Sequence, residues 1–185
     1  MANKFRIEGE HVVLSNFLKE DISYQCISWL NDPEVVQYSS QRLNKHDFLS
    51  FQDYYESFEG TNNLFISIKL AKSNQMIGTM TAYFSPLQRS KRFTHNTVDV
   101  GIMIGDKSKW GRGYGKDAWN TLLLWLEEEV NIRKITAGTL AINIGMIKLF
   151  EDSGMLLEEV TKDHEIVDNK TVDVCYFYKL NNKYK

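Results

Sequence analysis

The sequence predicts an α+β fold built around one mixed sheet. Three observations carry this. Stretches with period-two apolar alternation cluster in the middle and at the end of the chain, two stretches with helical spacing come before them, and a glycine-rich run separates the middle strands from the strongest helix. The predicted order is strand, helix, helix, three strands, helix, strand, helix, strand, strand. A chain of 185 residues closes these into a single domain spanning 1–185, with no repeat or linker in view.

Each element has its own warrant. Ile7, Val12, Val13 and Leu14 mark a strand within 6–18. Ile22, Cys26, Ile27, Trp29 and Leu30 recur at helical spacing over 21–30, and Asp32-Pro33 ends that helix because proline disfavours the helical region for the residue before it. Asn44 is the expected N-cap of a second helix carrying Phe48, Phe51, Tyr54, Tyr55 and Phe58, with Gly60 as its stop. That aromatic stripe can serve as core or as the wall of a substrate pocket. Residues 63–70 and 76–84 alternate and form a hairpin or meander around the turn residues 72–75. Residues 85–96 are polar and basic, with Arg89, Lys91, Arg92 and His95, and read as a loop before a third strand at 97–104. A broad apolar face (Ala118, Trp119, Leu122, Leu123, Trp125, Leu126) predicts a helix over 116–129. A strand at 134–139, a helix at 143–153 stopped by Gly154, and strands at 156–160 and 171–179 complete the chain.

Composition narrows the function classes. The chain has 22 basic and 24 acidic residues, a net charge of -2 and an apolar fraction of 43%. This is the balance of a globular protein, without the basic footprint of a nucleic-acid binder. Cys26 and Cys175 lie far apart with no metal spacing, and His11, His46 and His164 are scattered, so buried thiols and no metal are expected. The first six residues lack an apolar run, and the longest such run, Leu122 to Leu126, is far too short to span a bilayer, so the expectation is a cytoplasmic protein without a membrane partner.

The glycines are average in number but not in placement: of eleven, Gly101, Gly105, Gly111, Gly113 and Gly115 fall within fifteen residues. The stretch Lys109-Trp110-Gly111-Arg112-Gly113-Tyr114-Gly115-Lys116 follows a strand and opens a helix. Glycines let the backbone approach a ligand, and the first N–H groups of a helix lack internal partners, so such a turn binds an anion such as pyrophosphate. Lys107, Lys109, Arg112 and Lys116 add local positive charge. Neither the P-loop pattern ending in Gly-Lys-[Ser/Thr] nor the dinucleotide pattern Gly-x-Gly-x-x-Gly is present. The pattern [Gln/Arg]-x-x-Gly-x-[Gly/Ala] does match at Gly113 and Gly115, with Trp110 in its first position.

With these residues in place, the chain resembles the GNAT superfamily of N-acetyltransferases over nearly its whole length. A second family signature appears as Asn143, Leu149, Phe150, Glu151, Gly154 and Met155. Trp110 and the stretch Trp29-Leu30-Asn31-Asp32-Pro33-Glu34-Val35 are similar to the Rim-type branch, which includes ribosomal-protein N-terminal acetyltransferases. The resemblance implies a mostly antiparallel sheet splayed at the coenzyme site, flanked by about four helices, and an enzyme that moves an acetyl group from acetyl-CoA to a primary amine in a ternary complex. It implies that the loop Trp110, Gly111, Arg112, Gly113, Tyr114, Gly115 and Lys116 holds the pyrophosphate. It also implies that the Met103 N–H meets the acetyl carbonyl while Ile104 and Gly105 pair the pantetheine arm. Asn143 is implied as a hydrogen-bond partner of the pantetheine or of a water, and Lys148 as a contact of a coenzyme phosphate.

In relatives the general base is a Glu eleven residues before the first motif position, which here is Asp99. Val98 and Val100 point to the opposite face of the strand, and apolar surroundings would raise its pKa. A structural role, capping the loop or pairing with Arg92, is equally open to Asp99. The usual proton donors, a Tyr and a Ser, are replaced by Phe150 and Met146, which leaves Tyr176, Tyr178, Ser153, water or an unprotonated thiolate. For the acceptor, the cations at 89–95 suit an anionic amine such as a nucleotide-linked amino sugar. Asp32, Glu34, Asp47, Asp53, Glu56 and Glu59 suit a peptide N-terminus or a polyamine. A homodimer is compatible with the resemblance, and a non-catalytic acyl-CoA-binding module is the alternative function.

Overall fold

The computed structural model describes residues 5–84 and 95–184. Eight strands form one sheet in the order β1-β2-β3-β4-β5-β6-β8-β7. They are β1 Arg6–Glu8, β2 Val12–Asn16, β3 Leu64–Leu70, β4 Met76–Tyr83, β5 Thr97–Ile104, β6 Lys134–Leu140, β7 Leu156–Val167 and β8 Lys170–Leu180. Every neighbouring pair is antiparallel except β5 and β6. The helices are α1 Tyr24–Leu30, α2 Pro33–Val36, α3 Phe48–Glu56, α4 Tyr114–Glu128 and α5 Ile144–Asp152. None of the described helices is long and apolar enough to cross a membrane.

Several boundaries differ from expectation for identifiable reasons. The strand expected over 6–18 is a hairpin, β1 and β2, closed by the Gly9 N–H donating to the Val12 carbonyl. Helix α1 starts three residues later than the expected 21 because Ser23 caps it: its side chain accepts the Cys26 N–H. Proline 33 does end α1, yet it also starts a fifth helix. It occupies the first turn of α2, where its missing N–H costs nothing, and Asp32 caps that turn by accepting from the Glu34 N–H. The cap of α3 is Asp47 rather than Asn44, in a reciprocal box with Ser50. Strand β7 runs seven residues past its expected end and β8 one residue past each of its ends, forming a long hairpin turned at Asp168 and Asn169 with φ of 49° and 60°.

The sheet carries a core on each face. On one, Trp119, Leu122, Leu123 and Leu126 of α4 and Phe150 of α5 pack against Val98, Val100, Ile135 and Phe177. Each such side chain contributes about 1.5–3 kcal/mol on burial. On the other face, Cys26, Ile27 and Trp29 of α1 and Phe51 of α3 pack with Phe17 and Phe65, so the aromatic stripe of α3 is mainly core. Cys26 and Cys175 are both buried free thiols. The carboxylate of Asp117, in the first turn of α4, accepts the backbone N–H groups of Glu10, His11 and Val12 at 2.8–3.1 Å. It thereby ties the β1–β2 turn to the positive end of α4.

Candidate active site

The site is built on the one parallel pairing in the sheet. Strands β5 and β6 pair only at Thr97↔Lys134, Val98↔Ile135 and Asp99↔Thr136. Beyond Asp99, β5 follows β4 to Ile104, and beyond Thr136, β6 follows β8 to Leu140. The sheet therefore opens into a wedge with Asp99 at its vertex.

The backbone groups lining that wedge follow from strand alternation. The Gly105 N–H donates to the Ile77 carbonyl on β4 at 2.9 Å, and the β4–β5 register runs unbroken from Tyr83↔Asp99 to Gly78↔Ile104. Odd-numbered residues of β5 thus turn their amides toward β4, and even-numbered residues turn theirs toward the wedge. The Val98 carbonyl lies 3.2 Å from Thr136 Oγ1 and the Ile104 carbonyl accepts from Trp110 Nε1, which places both on the wedge side. This corrects the assignment of Met103 and Gly105. Without a bulge in β5 their N–H groups belong to the β4 ladder, and Ile102 and Ile104 present the backbone edge instead. Gly105 is glycine for another reason: a Cβ there would lie 2.1 Å from the Trp29 ring.

At the far end of the wedge, a 3-10 turn at Lys107–Lys109 leads to Trp110 and the exposed Gly111 and Arg112. Gly113 then starts α4 with φ 82°, a left-handed conformation that favours glycine, and no side chain caps the helix. A Cβ on Gly115 would sit 3.5 Å from Ile104 Cγ1, so the uncapped helix start stands directly against the end of β5. Tyr114 is partly buried and packs on the core. The donor set of an anion site is therefore present.

Its cations are unequal. Lys107 pairs with Asp32 at 2.7 Å and Glu34 at 2.9 Å, and Lys116 with Asp152 at 3.0 Å. Hydrogen bonds from these lysines hold the Asp32 and Asp152 carboxyls below their ordinary range. Among the described residues Lys109 and Arg112 make no ion pair. Asn143 is the N-cap of α5: its oxygen accepts the Met146 N–H at 3.2 Å and its amide donates to Thr139 Oγ1 at 3.1 Å. Lys148 is exposed on the same helix.

Asp99 sits on the face opposite the fully buried Val98 and the buried Val100, as the alternation predicts. Its surroundings are polar rather than apolar. Thr136 Oγ1 donates to its Oδ1 at 2.8 Å, and it lines a cavity of about 330 Å³ with Arg42, Glu158, His164, Glu165 and Tyr176. Arg89, Lys91 and Arg92, the proposed acceptor cations and ion partner, lie outside the described residues. Among the candidate proton donors, Ser153 is committed to Trp119 and to the Phe150 carbonyl, and the Tyr178 ring lies 5.2 Å from the Lys134 ammonium. Tyr176 alone of the three shares the cavity with Asp99. Phe150 is 0% exposed, wedged between Trp119 and Phe177, and has no path to the site.

A second cavity of about 480 Å³ lies beneath α1 and α3, over Thr79, Thr81, Gly101 and Met103. Sequence reasoning missed it because His46, in its wall, carries no spacing signal. Only the fold brings the 37–47 segment over β4 and β5. Asn31 holds His46 by its backbone, accepting its N–H at 2.9 Å and donating to its carbonyl at 2.7 Å.

Known proteins share both fold and sequence features. An uncharacterized N-acetyltransferase of Bacillus licheniformis is 25% identical over 183 residues, covering 95% of this chain and 96% of that protein. The spermidine N-acetyltransferase of Vibrio cholerae, solved in complex with CoA and spermine, superposes with a TM-score of 0.79 at 17% identity, covering 94% of this chain and 98% of that one. The ribosomal-protein-S5-alanine acetyltransferase of Vibrio fischeri superposes with a TM-score of 0.76 at 17% identity, covering 98% and 99%. The acetyltransferase (GNAT) domain family matches residues 11–156. With the splayed sheet, the uncapped helix start behind it and this match over most of its length, the chain belongs to the GNAT acetyltransferase family.

Proposed function

We propose that the protein transfers the acetyl group of acetyl-CoA to a primary amine by direct attack within a ternary complex. The observation that carries this reading is the wedge: its vertex holds a carboxylate, its β5 edge offers backbone donors, and its far end meets an uncapped helix. The N–H groups at the start of α4, with Lys109 and Arg112 beside them, receive the pyrophosphate. Gly111 and Gly113 let the backbone approach it. Ile102 and Ile104 pair the pantetheine as a strand would, and an amide on that edge steadies the oxyanion that forms as the amine adds to the thioester. Asn143 and Lys148 stand on the opposite bank, on α5.

Asp99 takes the proton of the attacking ammonium, directly or through water. Thr136 fixes its carboxylate by donating to Oδ1 at the vertex of the wedge. Tyr176, on the same cavity, returns a proton to the departing thiolate. The test is Asp99→Asn with thiol release as the readout. A general base contributes about 10²–10⁴ in rate, so kcat should fall at least about 100-fold, with acetyl-CoA affinity within twofold of the parent. An unchanged rate removes the role. Tight coenzyme binding with no turnover on any amine would instead favour an acyl-CoA-binding module.

A further inference from the structure

We propose that the 480 Å³ cavity beneath α1 and α3 receives the carbon skeleton of the acceptor, that this skeleton is a hydroxyl-bearing ring of the amino-sugar class, and that His46 Nε2 anchors it. The inference rests on the transferase reading above and names the acceptor of the same site. Its starting point is an orphan: His46 Nε2 is buried with no hydrogen-bond partner among the described residues. Buried polar atoms are almost always paired, and an unpaired one carries a desolvation cost that a ligand atom can relieve. The Asn31 clamp on the His46 backbone restrains the segment that bears the ring.

The lining decides the ligand class. Thr79 and Thr81 stand in the floor. Gly101 keeps that floor low, since a Cβ there would come within 2.9 Å of Thr81 Oγ1. Trp29, Phe51 and Tyr54 wall the cavity. Burial holds the Tyr54 phenol far above its ordinary pKa, so it stays protonated, sharing a 3.3 Å contact with Tyr83. Apolar ring faces beside several hydroxyl-bearing side chains match a ring with C–H faces and hydroxyl edges.

Among the described residues no carboxylate lines this cavity, whereas Lys45 and His46 do. Of the acidic residues on the surrounding helices, Asp32 and Glu34 pair with Lys107, Asp47 caps α3, Glu56 accepts from Gln52 and Glu59 from the Tyr55 hydroxyl, while Asp53 is exposed and lies outside the cavity lining. The second ammonium of a polyamine would find no partner here. Asp99 lies two residues before Gly101 on the same face of β5, about 7 Å along the strand. A ring seated in the cavity can therefore extend its amine to that carboxylate.

The test sets D-glucosamine and D-galactosamine against spermidine and an alanine-initiated peptide, with acetyl-CoA as donor, in the parent and in His46→Phe, His46→Gln and Thr81→Val. Transfer to the sugars should exceed transfer to the other two amines at least tenfold in kcat/KM. His46→Phe should raise the sugar KM at least tenfold, with kcat within threefold and the acetyl-CoA KM unchanged. His46→Gln should restore much of the loss, and Thr81→Val should raise the sugar KM without touching His46. Saturation-transfer NMR reads sugar binding without chemistry. A signal in the parent that His46→Phe abolishes supports the pocket even if no thiol is released, in which case it is the transferase reading that fails. Preference for spermidine or the peptide, an unchanged KM in His46→Phe, or no NMR signal in the parent overturns the proposal.

Discussion

At the residue scale, single atoms decide what the motifs left open. Trp110 fills a position where relatives carry Gln or Arg, and its indole donates to the Ile104 carbonyl at 2.7 Å, fastening the loop to the strand it follows. Gly105 falls in the same glycine cluster for an unrelated reason, the Trp29 ring laid over it. Gly105→Ala should therefore cost about 1–3 kcal/mol by overpacking, measured by chemical denaturation. Much of the loss should return in the Trp29→Leu background, and an additive double variant would show that the two sites do not touch. The face of β5 that carries Asp99 was legible because it follows from alternation along one strand. The amide facing was not. A shift of one residue reverses which side of β5 an N–H serves, and only the β4 register fixes it, so Met103 gives way to Ile102 and Ile104.

At the element scale, helices and strands with one wet and one dry face declared themselves. Strand β5 was legible to the residue, and α4 within two residues at its start and one at its end. Strand β7 was legible only over 156–160, because most of its residues are exposed and the alternation that marks a buried face is missing beyond them. Helix α2 was hidden by a proline whose two roles, ending one helix and starting the next, look alike in sequence. That short helix is joined to the coenzyme side by Lys107, whose bonds to Asp32 and Glu34 connect the 3-10 turn before Trp110 to the α1–α2 corner. The Lys107 hydrogen bond lowers the Asp32 pKa from 3.8, and that to Asp32 raises the Lys107 pKa from 10.5. The carboxylate's share of the clamp is thus present above pH 3.8 and lost as pH falls through its lowered value. The ammonium's share is present below pH 10.5 and lost as pH rises through its raised value. The amide shift of Val35 should move as pH falls through the lowered Asp32 value. In Lys107→Met the acid-side movement should come at higher pH, because the ammonium that lowers the Asp32 pKa is gone, and an unshifted movement would show the clamp to be idle.

At the scale of the whole molecule, two cores on opposite faces support one sheet that is continuous everywhere except beyond Asp99. An interior pair of strands is normally closed by its ladder; here Ile102 and Ile104 on one bank and residues 137–140 on the other lack each other's hydrogen bonds. Strand edges of this kind recruit strands from other chains, and natural proteins blunt them. The Trp110 indole, 38% exposed and seated on the Ile104 carbonyl, covers only one end of this one. A ligand that lies along the wedge as a surrogate strand would then govern solubility as well as chemistry. Coenzyme A at a hundred times its Kd should stabilise the chain by about 2.7 kcal/mol, or roughly 5–10 °C in Tm. It should also suppress light scattering on warming, and equal scattering with and without it would show that the edge is already protected. The seam proposed for the coenzyme is, when empty, the place where one copy of the chain would begin to stick to another.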